Sequence, residues 1–412
     1  MQVLRLRDFR LYLTARFFAA LSQQMLAVAI GWYLYDRTGD ALVLGYAGLA
    51  VFVPIALLTL PGGDLADRFD RRRILCAAHL VLAACAGALA WLAAAQTSAQ
   101  TFSNWPFYAV LALTGTARAF SAPAVTSFAP FLVPRRDFAQ AVAWASSANR
   151  IATVIGPAIG GAIYLLGPEA AFLACLVQSA TVAAAIIAVR TRVAHAAAAA
   201  GSTAYGRAVA GLRYLRHQPV VFGAITLDLF AVLLGSVTAL LPVYARDVLD
   251  VGPGGLGALR SSLALGAVAT ALFLAAVPER RLPHAGRAMF AGVAVFGAAI
   301  LVFGVSRSFA LSVAALAVMG AADMVSVYVR STVIQLGTPD DMRGRVSAVH
   351  MLFVGASNEL GDFRAGAVAA WLGALPAVLA GGAGTLLVVW LWARFYPELA
   401  RVDRLSEVSA RS

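Results

Sequence analysis

Gly63-Asp64-Leu65-Ala66-Asp67-Arg68-Phe69-Asp70-Arg71-Arg72-Arg73 stands between two apolar runs, Leu44–Leu65 and Ile74–Ala95. Each run supplies the roughly 20 residues that an α-helix needs to cross a hydrocarbon core about 30 Å thick. The arginines and aspartates of the junction would each cost at least about 2.5–3.5 kcal/mol at the bilayer centre. They must therefore stay at the water interface, and the stretch reads as a membrane hairpin: helix, charged turn, helix.

The whole chain repeats this alternation. Of 412 residues, 61% are hydrophobic and 13% charged, with a mean hydropathy of +0.80. A soluble domain carries roughly 45–50% apolar and about 25% charged residues. This composition excludes a disordered chain, a collagen-like repeat and a secreted disulfide scaffold, and argues against a soluble enzyme. Cys76, Cys85 and Cys175 all lie inside apolar runs, so neither a disulfide framework nor a metal site is expected. Twelve spans are predicted: Leu11–Tyr35, Leu44–Leu65, Ile74–Ala95, Phe107–Phe128, Phe138–Leu166, Ala171–Val189, Val220–Ala245, Gly255–Val277, Ala288–Val305, Phe309–Leu336, Arg345–Leu372 and Pro376–Trp392. The first run is too long for a signal-peptide core and ends in no small-residue cleavage site, so it reads as a retained helix.

Net charge is +12, and all 32 basic residues are arginine. They form no contiguous patch, so nucleic acid is not an expected partner. With twelve spans, Arg37, Arg246 and Arg307 alone fall in the loops of one side. Clusters such as Arg5-Leu6-Arg7, Arg71-Arg72-Arg73, Arg135-Arg136 and Arg280-Arg281 fall on the other. The positive-inside rule makes the arginine-rich side cytoplasmic and places both termini there. The partners expected are the lipid bilayer, a small-molecule substrate and protons, with the chain acting as a monomer.

The 191–218 stretch is the long polar connection and divides the spans six and six. The expected organisation is an N-terminal half at 1–190, a cytoplasmic linker at 191–218, a C-terminal half at 219–396 and a cytoplasmic tail at 397–412. The halves show weak internal symmetry, a common feature of transporters. Pro134 and Pro339 open the fifth and eleventh runs 205 residues apart, and the same offset relates Gly156 to Gly361 and Gly161 to Gly366. The fold class is thus an all-α membrane protein of two pseudo-symmetric six-helix halves.

Gly63, Asp67, Arg68 and Arg71, in their spacing after the second run, resemble the cytoplasmic loop motif of the major facilitator superfamily; Asp70 stands where the family usually has glycine. Physically, Gly63 permits a tight approach to a neighbouring helix. Asp67 can accept from free N–H groups at a helix N-terminus, and Arg68 and Arg71 can pair with acidic groups. In the family this element latches one transport state. The second-half equivalent, Pro278-Glu279-Arg280-Arg281-Leu282-Pro283, is degenerate. In the fifth run, Gly156, Pro157, Gly160 and Gly161 resemble the family's exporter element. Glycines one turn apart permit close helix packing, and Pro157 bends its helix. Arg343 to Gly361, Ala15-Arg16-Phe17 and Pro123-Ala124 are similar to the bacterial enterobactin-exporter branch, which also resembles macrolide and multidrug exporters.

Charges inside spans default to pairing or function. They are Arg16, Arg118, Arg150, Asp228, Arg260, Asp323, Arg330, Glu359, Asp362 and Arg364, on the first, fourth, fifth, seventh, eighth, tenth and eleventh runs. Arg16 and Arg330 are expected near a cytoplasmic end, where they could snorkel. Arg118 and Arg150 are candidate cavity charges. Asp323, Glu359, Asp228 and Asp362 are candidates for carrying a proton, with Asp323 expected to meet Arg118 from the opposite wall of a cavity. His350 titrates in the useful range but ranks below the carboxylates.

The function expected is secondary active export of an amphipathic small molecule, siderophore or drug-like, across the bacterial inner membrane by proton antiport and alternating access. A proton-coupled importer and a non-transporting sensor or scaffold are the alternatives. The chain has no phosphate-binding loop and no lysine, so no nucleotide-driven pump, no cofactor and no enzyme activity is expected.

Overall fold

A computed structural model describes residues 3–96, 102–126, 128, 131–191, 204–276 and 284–402. The side chains of Leu60, Ala66, Asp67, Arg68, Thr126, Ala204, Tyr205, Arg207, Ala208, Asp340 and Asp341 also lie outside the description. So do the 192–203 part of the linker, the degenerate 278–283 element and the tail from 403.

The described residues form helices and no strands. In chain order they are α1 (Arg7–Thr38), α2 (Ala41–Arg68), α3 (Arg71–Ala95), α4 (Trp105–Thr126), α5 (Phe138–Tyr164), α6 (Pro168–Ala188), α7 (Ala204–Leu215), α8 (Pro219–Gly235), α9 (Leu241–Val243), α10 (Gly252–Ala276), α11 (Ala285–Val305), α12 (Phe309–Leu336), α13 (Asp340–Leu372), α14 (Ala374–Phe395) and α15 (Pro397–Ala400). Among the described residues, nine helical segments are long and apolar enough to cross a membrane. Helices α4, α5 and α13 occupy the other three predicted runs, of 22, 27 and 33 residues, but fall outside those nine. Polar content dilutes two of them: α5 carries Gln140, Ser146, Ser147, Asn149 and Arg150, and α13 carries Glu359, Asp362 and Arg364.

Local chemistry sets the helix ends. Gly39 takes a left-handed conformation after α1, its N–H returning to Tyr35 O. Asp70 accepts from Arg72 N at 2.9 Å and caps α3. Arg72 donates through Nε to Ile186 O at 3.2 Å and also bonds Ile187 O, so it covers orphan carbonyls at the end of α6.

The chain divides into two compact units: residues 1–39, 46–204 and 251–261, and residues 40–45, 205–250 and 262–412. In the first unit α1 packs on α5 and α6, and α3 on α4 and α6. In the second, α8 packs on α13 and α14, and α11 on α12 and α14. These are the same four pairings within each set of six membrane-length segments. Glycine contacts repeat too. A Cβ at Gly62 of α2 would lie 2.6 Å from Ala119 O of α4, and one at Gly115 of α4 would strike Val51 O of α2. In the other unit, Gly266 of α10 meets Ala317 O of α12, and Gly320 of α12 meets Leu263 O of α10. Gly115 and Gly320 stand 205 residues apart, the offset seen in the sequence.

The seventh run departs from expectation. Its hydropathy predicts one continuous helix, but α8 stops at Gly235 and Ser236 is extended. A short 3-10 turn (Thr238–Leu240), α9 and a π turn (Tyr244–Val248) follow. Pro242 has no N–H to continue a helical ladder. Side chains of α13 hold the interruption in place.

Candidate functional site

In the second unit, α8, α12 and α13 pack against one another. The apolar helix α8 presents one acidic residue, Asp228, which is 5% exposed. Its carboxylate pairs with the guanidinium of Arg330 from α12, 3% exposed. Arg330 is therefore a buried ion-pair partner and not a snorkelling interfacial residue. The same guanidinium donates through Nε to His350 Nε2 of α13 at 3.0 Å. Asp323 lies seven residues before Arg330 on α12, half-buried, and feels the charges of Asp228 and Arg330. Three helices thus bring the Asp228 carboxylate, the Arg330 guanidinium and the His350 imidazole together.

Asp362 and Arg364 do a different job. The Asp362 carboxylate accepts from Ser236 Oγ and from Ala239 N at 3.3 Å. Arg364 donates through Nε to Leu233 O at 3.0 Å and through a terminal nitrogen to Leu234 O at 2.6 Å. An anion thus faces the free N–H groups after the break and a cation faces the free carbonyls before it, the polarity that helix ends demand. Glu359 is half-buried one turn earlier on α13.

In the first unit, Arg118 on α4 is half-buried and Arg150 on α5 is exposed. Arg16 on α1 keeps its Nε buried without a hydrogen bond. The charges that act on Asp323, those of Asp228 and Arg330, belong to its own unit.

Gly156, Pro157, Gly160 and Gly161 are all buried. A Cβ at Gly156 would lie 2.7 Å from Gln24 Cβ, and one at Gly160 would lie 2.9 Å from Met25 Cα, both on α1. Gly161 abuts Pro253 O and Gly257 at the start of α10, within the same unit. Ser261 Oγ accepts from Ala158 N at 3.1 Å beside Pro157. Only residues without side chains let these backbones approach so closely.

At the loop motif, Arg71 is buried with its guanidinium over the Phe131 ring, 5.1 Å from the centroid. Asp67 and Arg68 lie outside the described side chains. Among the described residues, nothing from a neighbouring segment lies within 4 Å of a Cβ built at Gly63, whereas Gly62 approaches α4 tightly. Adjacent residues on a helix differ by about 100° in direction, which is the whole difference. Arg330 is conspicuous in the sequence as an intramembrane charge, but no signal along the chain points to its partners on α8 and α13.

Comparison with known proteins decides the family. Residues 2–410 match the family described as transmembrane secretion effector. The chain belongs to that family, part of the major facilitator superfamily. It is similar to the enterobactin exporter EntS of Shigella boydii serotype 4, 26% identical over 410 residues covering 95% of this chain and 92% of that protein. It is also similar to macrolide efflux protein A of Streptococcus pyogenes, 30% identical over 169 residues, or 41% of this chain. The chain thereby spans 41% of the length of that relative. Among solved structures, the nucleoside transporter NupG aligns with a TM-score of 0.77 at 11% identity, covering 94% of this chain and 100% of that one. A bacterial homologue of the human lysosomal transporter Spinster aligns at 0.69 and 14% identity, covering 100% and 97%. The protein is a multi-pass membrane transporter with the major facilitator fold, and its family consists of transporters rather than enzymes.

Proposed function

We propose that this transporter exports an amphipathic small molecule, siderophore or macrolide-like, across a bacterial inner membrane in exchange for protons, by alternating access. Twelve spans in two halves (1–190 and 219–396, joined by 191–218), a tail at 397–412, cytoplasmic termini and a monomeric state complete the reading. One observation carries the proton coupling: Asp228, Asp323, Arg330 and His350 are gathered on three packed helices. Ionisable groups at such positions are costly and persist where they move ions or substrate. Asp323 and Asp228 are the principal carboxylates, with Glu359 behind them; Asp362 serves the helix break. Arg118 and Arg150 are the cavity charges of this reading. The export direction is supported by the packed Gly156-Pro157-Gly160-Gly161 element and by relatives named as exporters.

Inverted membrane vesicles with an imposed pH gradient, acid inside, test the proposal with erythromycin and enterobactin as probes. Uptake that collapses when the gradient is dissipated is the expected result. Uptake indifferent to the gradient refutes proton antiport, and accumulation only in right-side-out vesicles refutes export.

A further inference from the structure

The run Arg71-Arg72-Arg73 opens α3, and its three guanidiniums meet different surroundings. Arg71 is buried over the Phe131 ring, and Arg72 bonds the carbonyls at the end of α6. The Arg73 side chain is 90% exposed and lies 4.0 Å from the Asp70 carboxylate. An ion pair that long and that exposed contributes little, so Arg73 can accept a further anion. Asp70 is itself held to the start of α3 by Arg72 N. Residues 70–73 sum to a charge of +2, three arginines against one aspartate.

Arg73 and Asp70 stand at the rim of a cavity of about 670 Å³ in the first unit. Its lining comes from the end of α2, the first part of α3 and the middle of α4. Apart from the two rim charges, the one polar side chain in that lining is Thr116, whose Oγ donates to Ala112 O at 2.9 Å. A buried water needs about two to four polar partners, and the cavity offers it almost none below the rim. Its interior suits hydrocarbon.

The cavity also opens where hydrocarbon is. Ala77, Leu80, Ala84 and Trp91 are exposed along one face of α3, a helix of membrane-spanning length. An apolar face of that kind meets lipid. Ala77 belongs both to this face and to the cavity lining, so lipid has a way in. From Arg73 to Val81, both in the lining, the helix rises about 12 Å. One leaflet contributes about 15 Å of hydrocarbon to the bilayer core. The cavity thus runs from the headgroup level through most of one leaflet.

We propose that this cavity binds an anionic phospholipid, with one acyl chain lodged between α2, α3 and α4 and the phosphate on Arg73. Basic residues at the membrane surface attract anionic headgroups, and the excess of arginine at the rim selects them over zwitterionic ones. The lipid completes the packing of the three helices. The site depends neither on the cargo nor on proton coupling.

The test uses the full-length protein in phosphatidylcholine nanodiscs that contain phosphatidylglycerol with a diazirine near the end of one acyl chain. Illumination and peptide mass spectrometry should place label on the α4 segment around Ala117. That residue lines the cavity but is only 5% exposed, beyond reach of lipid that merely surrounds the protein. Val177 on α6, 61% exposed, reports surrounding lipid and serves as the reference. Arg73→Gln should lower the label at Ala117 about fivefold relative to Val177, the worth of one arginine at an anionic surface. Phosphatidylcholine carrying the same diazirine should show a similar deficit. Ala77→Phe, which fills the cavity from an exposed position, should remove the label from Ala117 and spare Val177.

Label at Val177 without label at Ala117 overturns the proposal. So does equal labelling of Ala117 by the two lipids, or labelling indifferent to Arg73→Gln or to Ala77→Phe. The comparison of lipids needs no variant and decides the matter if a variant misfolds. Loss of the Ala117 label on adding erythromycin or enterobactin would make the cavity a cargo site and likewise overturn the assignment to lipid.

Discussion

The Asp228–Arg330 pair makes a stability prediction that is independent of transport. Both side chains are almost wholly removed from solvent, at 7% and 3% exposure. Two unit charges about 4 Å apart at an effective dielectric near 20 attract by about 4 kcal/mol. Desolvation offsets much of that in the intact pair, but removing one partner strands the other and costs about 3–5 kcal/mol. Asp228→Asn leaves Arg330 buried without its counter-charge. Arg330→Met strands Asp228 and also removes the donor to His350 Nε2, so it should be the more damaging single change. Asp228→Asn combined with Arg330→Met leaves neither charge. Its cost should fall well below the sum of the singles, with a coupling energy of about 3 kcal/mol, the upper end of what neighbouring residues show. Equilibrium unfolding in mixed micelles, followed by circular dichroism across an SDS gradient, measures all four corners of the cycle. Additive single-mutant effects would refute the buried pair.

Three further outcomes are expected. Gly161→Val should abolish transport while the protein still inserts, because its side chain would drive into Pro253 O, whereas Gly63→Ala should transport normally, since among the described residues nothing from a neighbouring segment lies within 4 Å of the added methyl; vesicle uptake normalised to inserted protein checks both. Arg364→Met should expose Leu233 O and Leu234 O without partners, costing about 1–3 kcal/mol and raising hydrogen exchange around residues 233–239, while Arg364→Lys should recover part of the loss. Asp67→Asn should slow the transport cycle without impairing insertion, because an interaction with a helix N-terminus loses its charge; an unchanged turnover rate in the properly inserted variant would remove the latch role.

Much of the architecture is legible along the chain because a bilayer imposes a simple constraint: every span must hide its backbone in a helix and must be long and apolar. Hydropathy therefore locates the helices, including α5 and α13, whose polar residues dilute the signal. The break after Gly235 escapes that reading. Val237, Ala239, Leu240 and Leu241 keep the run apolar, and the groups that permit the interruption, Asp362 and Arg364, lie more than a hundred residues away in α13. The choice of Gly62 over Gly63 escapes it as well, because composition carries no information about helix phase against a neighbour.

The intramembrane charges show the same division between what a chain announces and what only packing decides. Each is conspicuous in sequence for its cost, but the cost is a property of the isolated group. In the second unit, Arg364 directs its charge at the carbonyls of α8, Asp362 faces the N–H groups beyond the break, and the two opposite charges act on each other. Arg330 is divided between Asp228 and His350. Two carboxylates, Asp228 and Asp323, lie within the influence of that one guanidinium. One cation cannot neutralise both, and the deficit is the size of a single proton. Coupling is therefore sought where charge fails to balance within the cluster rather than at whichever acidic residue lies deepest in its helix, and Asp228→Asn should shift the pH dependence of transport as well as stability, since it removes one of the two carboxylates that compete for Arg330.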